Sequence, residues 1–139
     1  MKVVAIIPAR GGSKRIPRKN IRLFNGLPII AWSIQAAIKS GCFDRVIVST
    51  DDKEIASIAN SHGAETPFIR PKNISDDYAA TSDVVAHAIR FERDQGRDFE
   101  YVCCIYPTAP FINIDNLKKG LDIIKARDYD YVFSATSYA

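Results

Sequence analysis

The sequence has few of the residues that define several specialised classes of protein. Its 139 residues include three cysteines and two histidines, and no apolar run approaches the roughly 20 residues that span a bilayer. Cys42, Cys103 and Cys104 form an odd set without metal-ligand spacing, which favours a reducing cytoplasm over a disulfide framework. His62 and His87 have no carboxylate or cysteine at ligand spacing nearby. These features predict no membrane span, no disulfide scaffold and no histidine-cysteine metal site.

The rest of the composition is that of an ordinary globular domain. Apolar residues make up 47% and charged residues 25%, and 139 residues suffice for one domain with a hydrophobic core. The first nine residues are mostly apolar, but they meet a basic loop at Arg10 instead of a small-residue cleavage site. They therefore predict a first strand, and we expect one cytoplasmic α/β domain over residues 1–139.

Acidic residues are absent from one stretch. Between Arg10 and Arg22 six bases and no acid give a charge of +6, whereas the remaining 13 bases and 16 acids sum to −3. A general nucleic-acid binder spreads positive charge over a broad face, and the aromatic residues are too scattered to form a stacking platform for a single strand. One basic loop on a slightly acidic body instead favours a compact polyanion such as a triphosphate, with no nucleic-acid partner.

Two familiar phosphate-binding motifs are also missing from this loop. Residues 10–20 are RGGSKRIPRKN, which contains neither the G-x-x-x-x-G-K-[ST] of a Walker A loop nor the G-x-G-x-x-G of a dinucleotide fold. Gly11 and Gly12 nevertheless allow close backbone approach, and the loop adds amide donors and several cations. Because it follows a strand directly, the loop predicts polyphosphate binding rather than a solvated basic turn.

Five short apolar runs predict strands, at residues 3–7, 46–49, 66–69, 101–106 and 131–135. The first is rich in β-branched residues and lacks polar alternation, which is typical of a strand buried on both faces of a parallel sheet. The run at 101–106 is the longest of the last four.

Four amphipathic helices are predicted between these strands. The first begins near Pro28 and ends at Gly41, the second begins at a capping box formed by Asp51 and Glu54, and the fourth is capped by Asp115. The third helix ends near residues 95–96. Apolar positions recur with the period of a helix: Ile30, Ile34, Ala37 and Ile38; Ile55, Ile58, Ala59 and His62; Val85, Ala88 and Ile89; Leu117, Leu121 and Ile124.

This alternation of strand and helix predicts the fold class. Crossover helices of this length imply mostly parallel strands with right-handed connections, and hence a three-layer α/β/α sandwich. Open parallel sheets bind ligands outside the carboxyl ends of their strands, where the strand order reverses. We therefore expect the site to form from residues 8–12, 50–52, 70 and 107–108.

The basic loop and its surroundings resemble a known family. The segments PARGGSKRIPRKN at 8–20, PIIAWSI at 28–34 and FDRVIVSTDD at 43–52 are similar to the signature of the acylneuraminate cytidylyltransferases, which make CMP-activated nonulosonic acids. The resemblance continues through FIRP at 68–71, DD at 76–77 and YPTAP at 106–110, and covers nearly the whole chain. The YPTAP form resembles the pseudaminic acid branch more than the sialic acid branch, where glutamine usually replaces Tyr106.

The resemblance implies an enzyme that transfers CMP from CTP to an acidic nonulosonic sugar, with Mg²⁺ as cofactor and pyrophosphate as the second product. It implies a nucleotide-diphospho-sugar transferase fold of Rossmann-like type and a homodimer in the full-length form. Members usually continue well beyond residue 139, where an aspartate pair binds magnesium. We therefore expect residues 1–139 to be the amino-terminal part of such an enzyme and to have little activity alone.

The resemblance also implies individual roles. Arg10 and Lys19 match the bases that contact the triphosphate and are the expected catalytic residues. The expected nucleotide site further contains Ala9, Gly11, Gly12, Ser13, Asn20, Arg70 and Thr81, and the expected substrate site contains Asn20, Tyr106 and Thr108. The residue types alone leave other roles open: Arg70 before a proline fits a surface turn, Thr81 a helix cap and Tyr106 a core aromatic.

Two acidic pairs, Asp51–Asp52 and Asp76–Asp77, have the chemistry of magnesium ligands. Both stand where a helix is predicted to begin, and carboxylates there stabilise the positive end of the helix dipole. We therefore expect helix capping from both pairs and assign no metal ligand in this chain.

The sequence leaves other functions open. A noncatalytic nucleotide-binding module would bind CTP without releasing pyrophosphate. A nucleotidyltransferase for another sugar or a polyol shares the expected fold and would prefer UTP, GTP or dTTP. An RNA-binding domain is a more distant alternative, marked by a steep salt dependence of its affinity.

Overall fold

The computed structural model describes residues 2–126 and 128–138. These residues form five strands: β1 (Val3–Pro8), β2 (Leu23–Phe24), β3 (Leu27–Pro28), β4 (Arg45–Ser49) and β5 (Tyr101–Cys104). β4, β1 and β5 pair in that order as a parallel sheet, and β2 and β3 form a short antiparallel hairpin. The predicted parallel sheet is confirmed, with β1 at its centre.

Helices cover both faces of this sheet. The described residues contain α1 (Ile29–Ser40), α2 (Lys53–Ser61), α3 (Thr81–Asp94) and α4 (Ile114–Ala126), with short 3-10 turns at Lys19–Ile21 and Lys72–Ile74. Ala5 and Ile7 of β1 pack into a core shared with α1, α2 and α4, whereas Val4 and Ile6 face α3. Alternate residues of one apolar strand thus serve two cores, and the predicted three-layer α/β/α sandwich is confirmed.

The first helix, α1, begins and ends where the sequence predicts. Pro28 precedes its first turn, and Gly41 ends it in the left-handed conformation with φ 66°. Ile30, Ile34 and Ala37 are buried, but Ile38, also predicted to be buried, is 45% exposed. Residue 38 lies about 80° around the helix from residue 30, which places it at the edge of the buried stripe.

Two helices begin at neighbours of the predicted cap residues. The N-cap of α2 is Asp52, not Asp51, and its carboxylate accepts the backbone N–H groups of Glu54 at 2.9 Å and Ile55 at 3.0 Å. In α4 the side chain of Asn113, not Asp115, accepts the N–H of Asp115 at 2.8 Å. In each case two cap-forming side chains stand within two residues, and only the backbone geometry selects one of them.

The capping prediction for Asp76 and Asp77 is wrong. α3 begins four residues later at Thr81, after Ala80, and has no side-chain cap. Asp76 accepts the backbone N–H of Tyr78 at 3.0 Å, whereas Asp77 forms ion pairs with two bases of the basic loop. The charge of the distant loop, not a helix terminus, determines what Asp77 contacts.

Two predicted strands do not form within the described ranges. Near 66–69 the chain makes a single parallel bridge, between Glu65 and Ile47. Residues 131–135 pair with no described strand, and Tyr131 and Phe133 are more than four-fifths exposed. β5 ends at Cys104, although the predicted strand extends to residue 106. Short apolar runs become strands only where a partner provides the ladder of hydrogen bonds, which their sequence alone does not reveal.

Among the described residues, no helix has both the length and the apolar character needed to cross a membrane.

Candidate functional site

A cleft of about 280 Å³ lies at the carboxyl ends of β1 and β5. β4 and β5 flank β1 on opposite sides, so the strand order reverses at this point, as expected for a ligand site in an open α/β sheet. Seven of the predicted site residues line the cleft: Arg10, Lys19, Asn20, Arg70, Thr81, Tyr106 and Thr108. The fold thus brings together residues from the loops after β1 and β5, the segment after residue 65, and α3.

Four other predicted site residues lie behind or beside this lining. Ala9 is fully buried and its N–H donates to the carbonyl of Ser49 at 2.8 Å, which continues the pairing of β1 and β4 past Pro8. The N–H of Gly11 donates to Asp51 at 2.8 Å, and Ser13 Oγ accepts the N–H of Lys19 at 3.1 Å. Gly12 is exposed. These contacts shape the basic loop, and a direct role of these four residues in ligand binding stays a prediction.

Arg18 attaches the basic loop to α2. Its backbone is left-handed, with φ 55°, and its guanidinium donates to Asp52 at 2.5 and 3.1 Å and to Glu54 at 2.6 Å. The hydrogen bond from Arg18 lowers the pKa of Asp52 to about 2, helped by the backbone N–H groups that the same carboxylate accepts. Arg18 therefore holds the basic loop against α2. No feature of the sequence distinguishes it from the bases of the loop that face the cleft.

Arg70 is a buried cation at the floor of the cleft. It is 4% exposed, and its guanidinium donates to the carbonyl of Ser49 at 2.7 Å, to Ser49 Oγ at 3.2 Å and to the carbonyl of Ile74 at 3.3 Å. Burial lowers its pKa, and the nearby Asp51 carboxylate opposes that effect. It forms no ion pair within residues 2–126 and 128–138. The alternative of a surface turn is wrong.

Asn20 presents an unsatisfied acceptor at the same place. The residue is 4% exposed, and its Nδ2 donates to the carbonyl of Arg10 at 2.9 Å. Its Oδ1 is buried and has no hydrogen-bond partner in the described part of the chain. A buried acceptor without a partner is destabilising, so this oxygen fits a ligand that donates a hydrogen bond, such as an amine or a hydroxyl group.

Positive charge is unevenly neutralised in the cleft. Arg10 and Lys14 both pair with Asp77, the second at 2.5 Å, and these two bases hold the pKa of Asp77 below its usual range. Lys19 forms no ion pair with any residue that the structure describes. Sequence reasoning missed the part played by Asp77, because its partners are more than 60 residues away and only the fold brings them together.

The remaining predicted residues form the wall opposite the basic loop. Tyr106 is 60% exposed, which contradicts the alternative of a core aromatic. Its carbonyl accepts the hydroxyl of Ser33, a buried residue of α1 whose role the sequence did not indicate, at 2.8 Å. Thr81 is the first residue of α3 rather than its cap, so the helix-cap alternative for Thr81 is also wrong.

The described residues do not fit a metal held by the protein alone. They contain no group of three or more histidine, cysteine, aspartate or glutamate side chains suited to one ion. Asp76 and Asp77 line the cleft, but Asp77 is paired with two cations.

The layered fold and the cleft at the reversal of strand order define a three-layer α/β protein with a ligand site at the carboxyl end of its parallel sheet. The chain superposes on CMP:2-keto-3-deoxy-manno-octonic acid synthetase complexed with CTP, with a TM-score of 0.74 and 22% identity over 91% of this chain and 48% of that one. A cytidylyltransferase from Leptospira borgpetersenii gives a TM-score of 0.70 at 20% identity, over 92% of this chain and 50% of that one.

The chain belongs to the cytidylyltransferase family, whose model matches residues 4–138. It is 49% identical to a pseudaminic acid cytidylyltransferase of Campylobacter jejuni over 99% of this chain and 60% of that protein. It is 41% identical to a CMP-N,N'-diacetyllegionaminic acid synthase of Legionella pneumophila over 90% of this chain and 54% of that protein. The family predicted from the sequence is confirmed, and the chain spans about 60% of the length of its Campylobacter relative.

Proposed function

We propose that this chain is the nucleotide-binding part of an enzyme that transfers CMP from CTP to an acidic nonulosonic sugar and releases pyrophosphate. Pseudaminic acid is the preferred sugar and sialic acid the second choice. The similarity to a pseudaminic acid cytidylyltransferase over nearly the whole chain supports this substrate class. The Tyr-Pro-Thr-Ala-Pro segment at 106–110, whose first three residues line the cleft, supports the same choice.

One observation carries the proposal: three cations from two separate segments converge at the carboxyl end of a parallel sheet. Arg10 and Lys19 lie in the basic loop and its 3-10 turn, and Arg70 lies at the floor of the cleft. Arg70 and Lys19 have no ion-pair partner among the described residues. Uncompensated positive charge in a partly buried cleft favours a ligand with several negative charges, as a nucleoside triphosphate has.

The proposed reaction is an in-line displacement at the α-phosphorus of CTP. The sugar hydroxyl forms a new O–P bond and loses its proton, while the bond between the α-phosphorus and the bridging oxygen breaks and its electron pair leaves with pyrophosphate. The residues need only position the reactants and neutralise charge that grows on the leaving group. Arg10 and Lys19 are the residues that we assign to this neutralisation.

Asn20, Tyr106 and Thr108 are assigned to recognition of the nucleoside and the sugar. We assign the Oδ1 of Asn20, which has no hydrogen-bond partner among the described residues, to a donor group of either substrate, and we assign Tyr106 and Thr108, which line the same cleft, to the acceptor sugar. Arg70 and Thr81 are assigned to binding of the nucleotide. The backbone of the phosphate-binding loop is assigned to four residues: Ala9, Gly11, Gly12 and Ser13.

We propose Mg²⁺ as the cofactor. We also propose that the natural gene product is a homodimer in the cytoplasm and that it does not bind nucleic acid. A divalent cation supplies neutralisation of phosphate charge when it is bound together with the nucleotide. Chelation of divalent cations, followed by separate addition of magnesium, manganese and calcium to the natural gene product, determines which metal supports turnover.

The test is a pyrophosphate-release assay on the natural gene product with CTP and pseudaminic or sialic acid. Loss of one preorganised donor lowers turnover by roughly 100- to 1000-fold in comparable sites, so we expect losses of that size from Arg10→Ala and from Lys19→Ala. Arg15→Ala is the matched control, because Arg15 is an exposed base of the same loop that does not line the cleft.

Equal turnover in the two cleft variants and the Arg15 control would remove Arg10 and Lys19 from the mechanism. Binding of CTP without pyrophosphate release would identify a noncatalytic nucleotide-binding module instead. Preference for UTP, GTP or dTTP would assign the chain to another nucleotidyltransferase.

A further inference from the structure

Asp77 contacts Arg10, which the proposed function assigns to the phosphates, and Lys14, a second base of the same loop. It lies between the 3-10 turn at Lys72–Ile74 and the start of α3, more than 60 residues from its partners. One carboxylate oxygen accepts from the guanidinium of Arg10, and the other lies 2.5 Å from Nζ of Lys14. A single carboxylate therefore holds two adjacent cations of the basic loop.

This carboxylate is the only acid on the described part of the cleft lining that pairs with a base. Asp76, its neighbour, also lines the cleft, but it accepts the backbone N–H of Tyr78 and forms no ion pair within the described residues. The cleft therefore has two kinds of cation: Lys19 and Arg70, which have no carboxylate partner among the described residues, and Arg10, which Asp77 bridges to Lys14 of the same loop.

We propose that Asp77 is a specificity-determining residue that occupies Arg10 and Lys14 until a polyphosphate displaces it. The inference rests on the proposed function, which assigns Arg10 to the phosphates, and it adds Lys14 of the same loop to the phosphate site. Asp77 then acts as an internal competitor: an anion that engages Arg10 and Lys14 must first replace a carboxylate that is already in place.

The exchange is physically accessible. The side chains of Arg10 and Asp77 are about one-third exposed and that of Lys14 is 80% exposed, and ion pairs with this much solvent contribute little to stability. A triphosphate brings several negative charges and bidentate acceptors for a guanidinium, whereas the carboxylate brings one charge. A polyphosphate therefore displaces Asp77 readily, and a weakly charged anion does so poorly.

Displacement also has a consequence for the segment that carries Asp77. Once a phosphate is bound to Arg10, the carboxylate and the ligand repel each other, and the ion pairs that connect residues 72–80 to the basic loop are lost. When pyrophosphate leaves, Asp77 returns to the two bases and opposes rebinding of the product. Asp77 thus restricts binding to ligands with enough negative charge to displace it from Arg10 and Lys14. It also favours the release of pyrophosphate.

The test is isothermal titration calorimetry of this chain with inorganic tripolyphosphate, in which Asp77→Asn is compared with Asp76→Asn. Both variants remove one negative charge at neighbouring cleft positions, but only the first removes the competitor. We expect Asp77→Asn to raise the affinity for tripolyphosphate roughly three- to tenfold, as expected from the loss of two weak ion pairs. Asp76→Asn should change it less than twofold, and thermal melts should show both variants folded.

Each outcome decides the inference. Equal gains in the two variants would show a general charge effect and overturn the assignment to Asp77, as would an unchanged or reduced affinity of a folded Asp77→Asn chain. Should Asp77→Asn not fold, Asp77→Ser is measured in its place against the same control. Binding of tripolyphosphate by none of the chains would overturn the phosphate site itself, and with it the proposed function, whereas equal binding by wild type and Asp77→Asn overturns only the competitor role.

Discussion

At the scale of single residues, Gly11 is fixed by a close approach that no other residue type permits. A Cβ atom at position 11 would lie 2.7 Å from Oδ2 and 2.9 Å from Cβ of Asp52. Asp52 cannot move away freely, because it caps α2 and pairs with Arg18. The first glycine of the Gly11–Gly12 pair thus allows the loop to lie against α2, whereas a Cβ at Gly12 would meet nothing within 4 Å.

The two glycines therefore provide a matched pair of variants. We expect Gly11→Ala to destabilise the chain by about 1–3 kcal/mol, the range for overpacking a tight contact. Gly12→Ala should stay within about 0.5 kcal/mol of the wild type, as an exposed substitution does. Urea unfolding followed by circular dichroism measures both, and equal losses in the two variants would contradict the steric account.

Which residues meet in the cleft was predictable from the sequence, but what they contact was not. The rule that ligand sites form at the carboxyl ends of parallel strands, together with the family resemblance, anticipated seven lining residues. The burial of Arg70 and the pairing of Asp77 with Arg10 depend on distances between segments far apart in the chain. Residue type gives the chemistry of a side chain, whereas only the packed fold gives its partner.

At the scale of secondary-structure elements, the start of α2 has two functions that depend on one carboxylate. Asp52 accepts two backbone N–H groups of the first turn and pairs with Arg18 of the basic loop. Loss of a side-chain cap typically destabilises a protein by about 0.5–2 kcal/mol. The helix terminus and the position of the loop are therefore coupled through this residue.

Asp52→Ala should destabilise the chain by about 1–2 kcal/mol, whereas Asp52→Asn should lose less because asparagine caps equally well. The native pKa of Asp52 is about 2, below the value of about 3.9 for an unfolded aspartate. Its contribution is therefore complete above about pH 4 and is lost as the pH falls towards 2. Urea unfolding at pH 7 and pH 3 checks this, and an unchanged gap between wild type and Asp52→Ala would contradict it.

Elements with a strong local signal were predicted well, and those that need a partner were not. β1 carries a continuous apolar run, α1 carries a periodic apolar stripe with identifiable ends, and α3 carries such a stripe, although its first residue was not identified. Residues 66–69 and 131–135 also contain apolar side chains but pair with no named strand in the described part of the chain. A strand is a property of two segments, so a prediction from one of them fails where the second is not beside it.

At the scale of the whole molecule, charge is arranged differently at the two ends of the sheet. The carboxyl end carries the cleft with cations that lack a carboxylate partner among the described residues. At the amino end Glu92 of α3 is fully buried and binds two arginines, Arg45 at the start of β4 and Arg97, the second at 2.6 Å. These ion pairs connect α3 to the sheet, far from the residues that line the cleft.

Glu92 should therefore govern stability without affecting ligand binding. Its removal leaves Arg97 without a carboxylate and Arg45 with Glu65 alone, so Glu92→Ala should lower the free energy of unfolding by about 1–3 kcal/mol, the range for leaving polar groups unpaired. Asp98→Ala is the control, because Asp98 and its partner Arg93 are mostly exposed, and such pairs contribute less than about 1 kcal/mol. At a temperature where Glu92→Ala is still folded, its affinity for tripolyphosphate should lie within twofold of the wild type. A parallel loss of stability and affinity would show that the two ends of the sheet are coupled. Ligand binding in the cleft would then depend on the ion pairs of Glu92 that connect α3 to the sheet at its amino end.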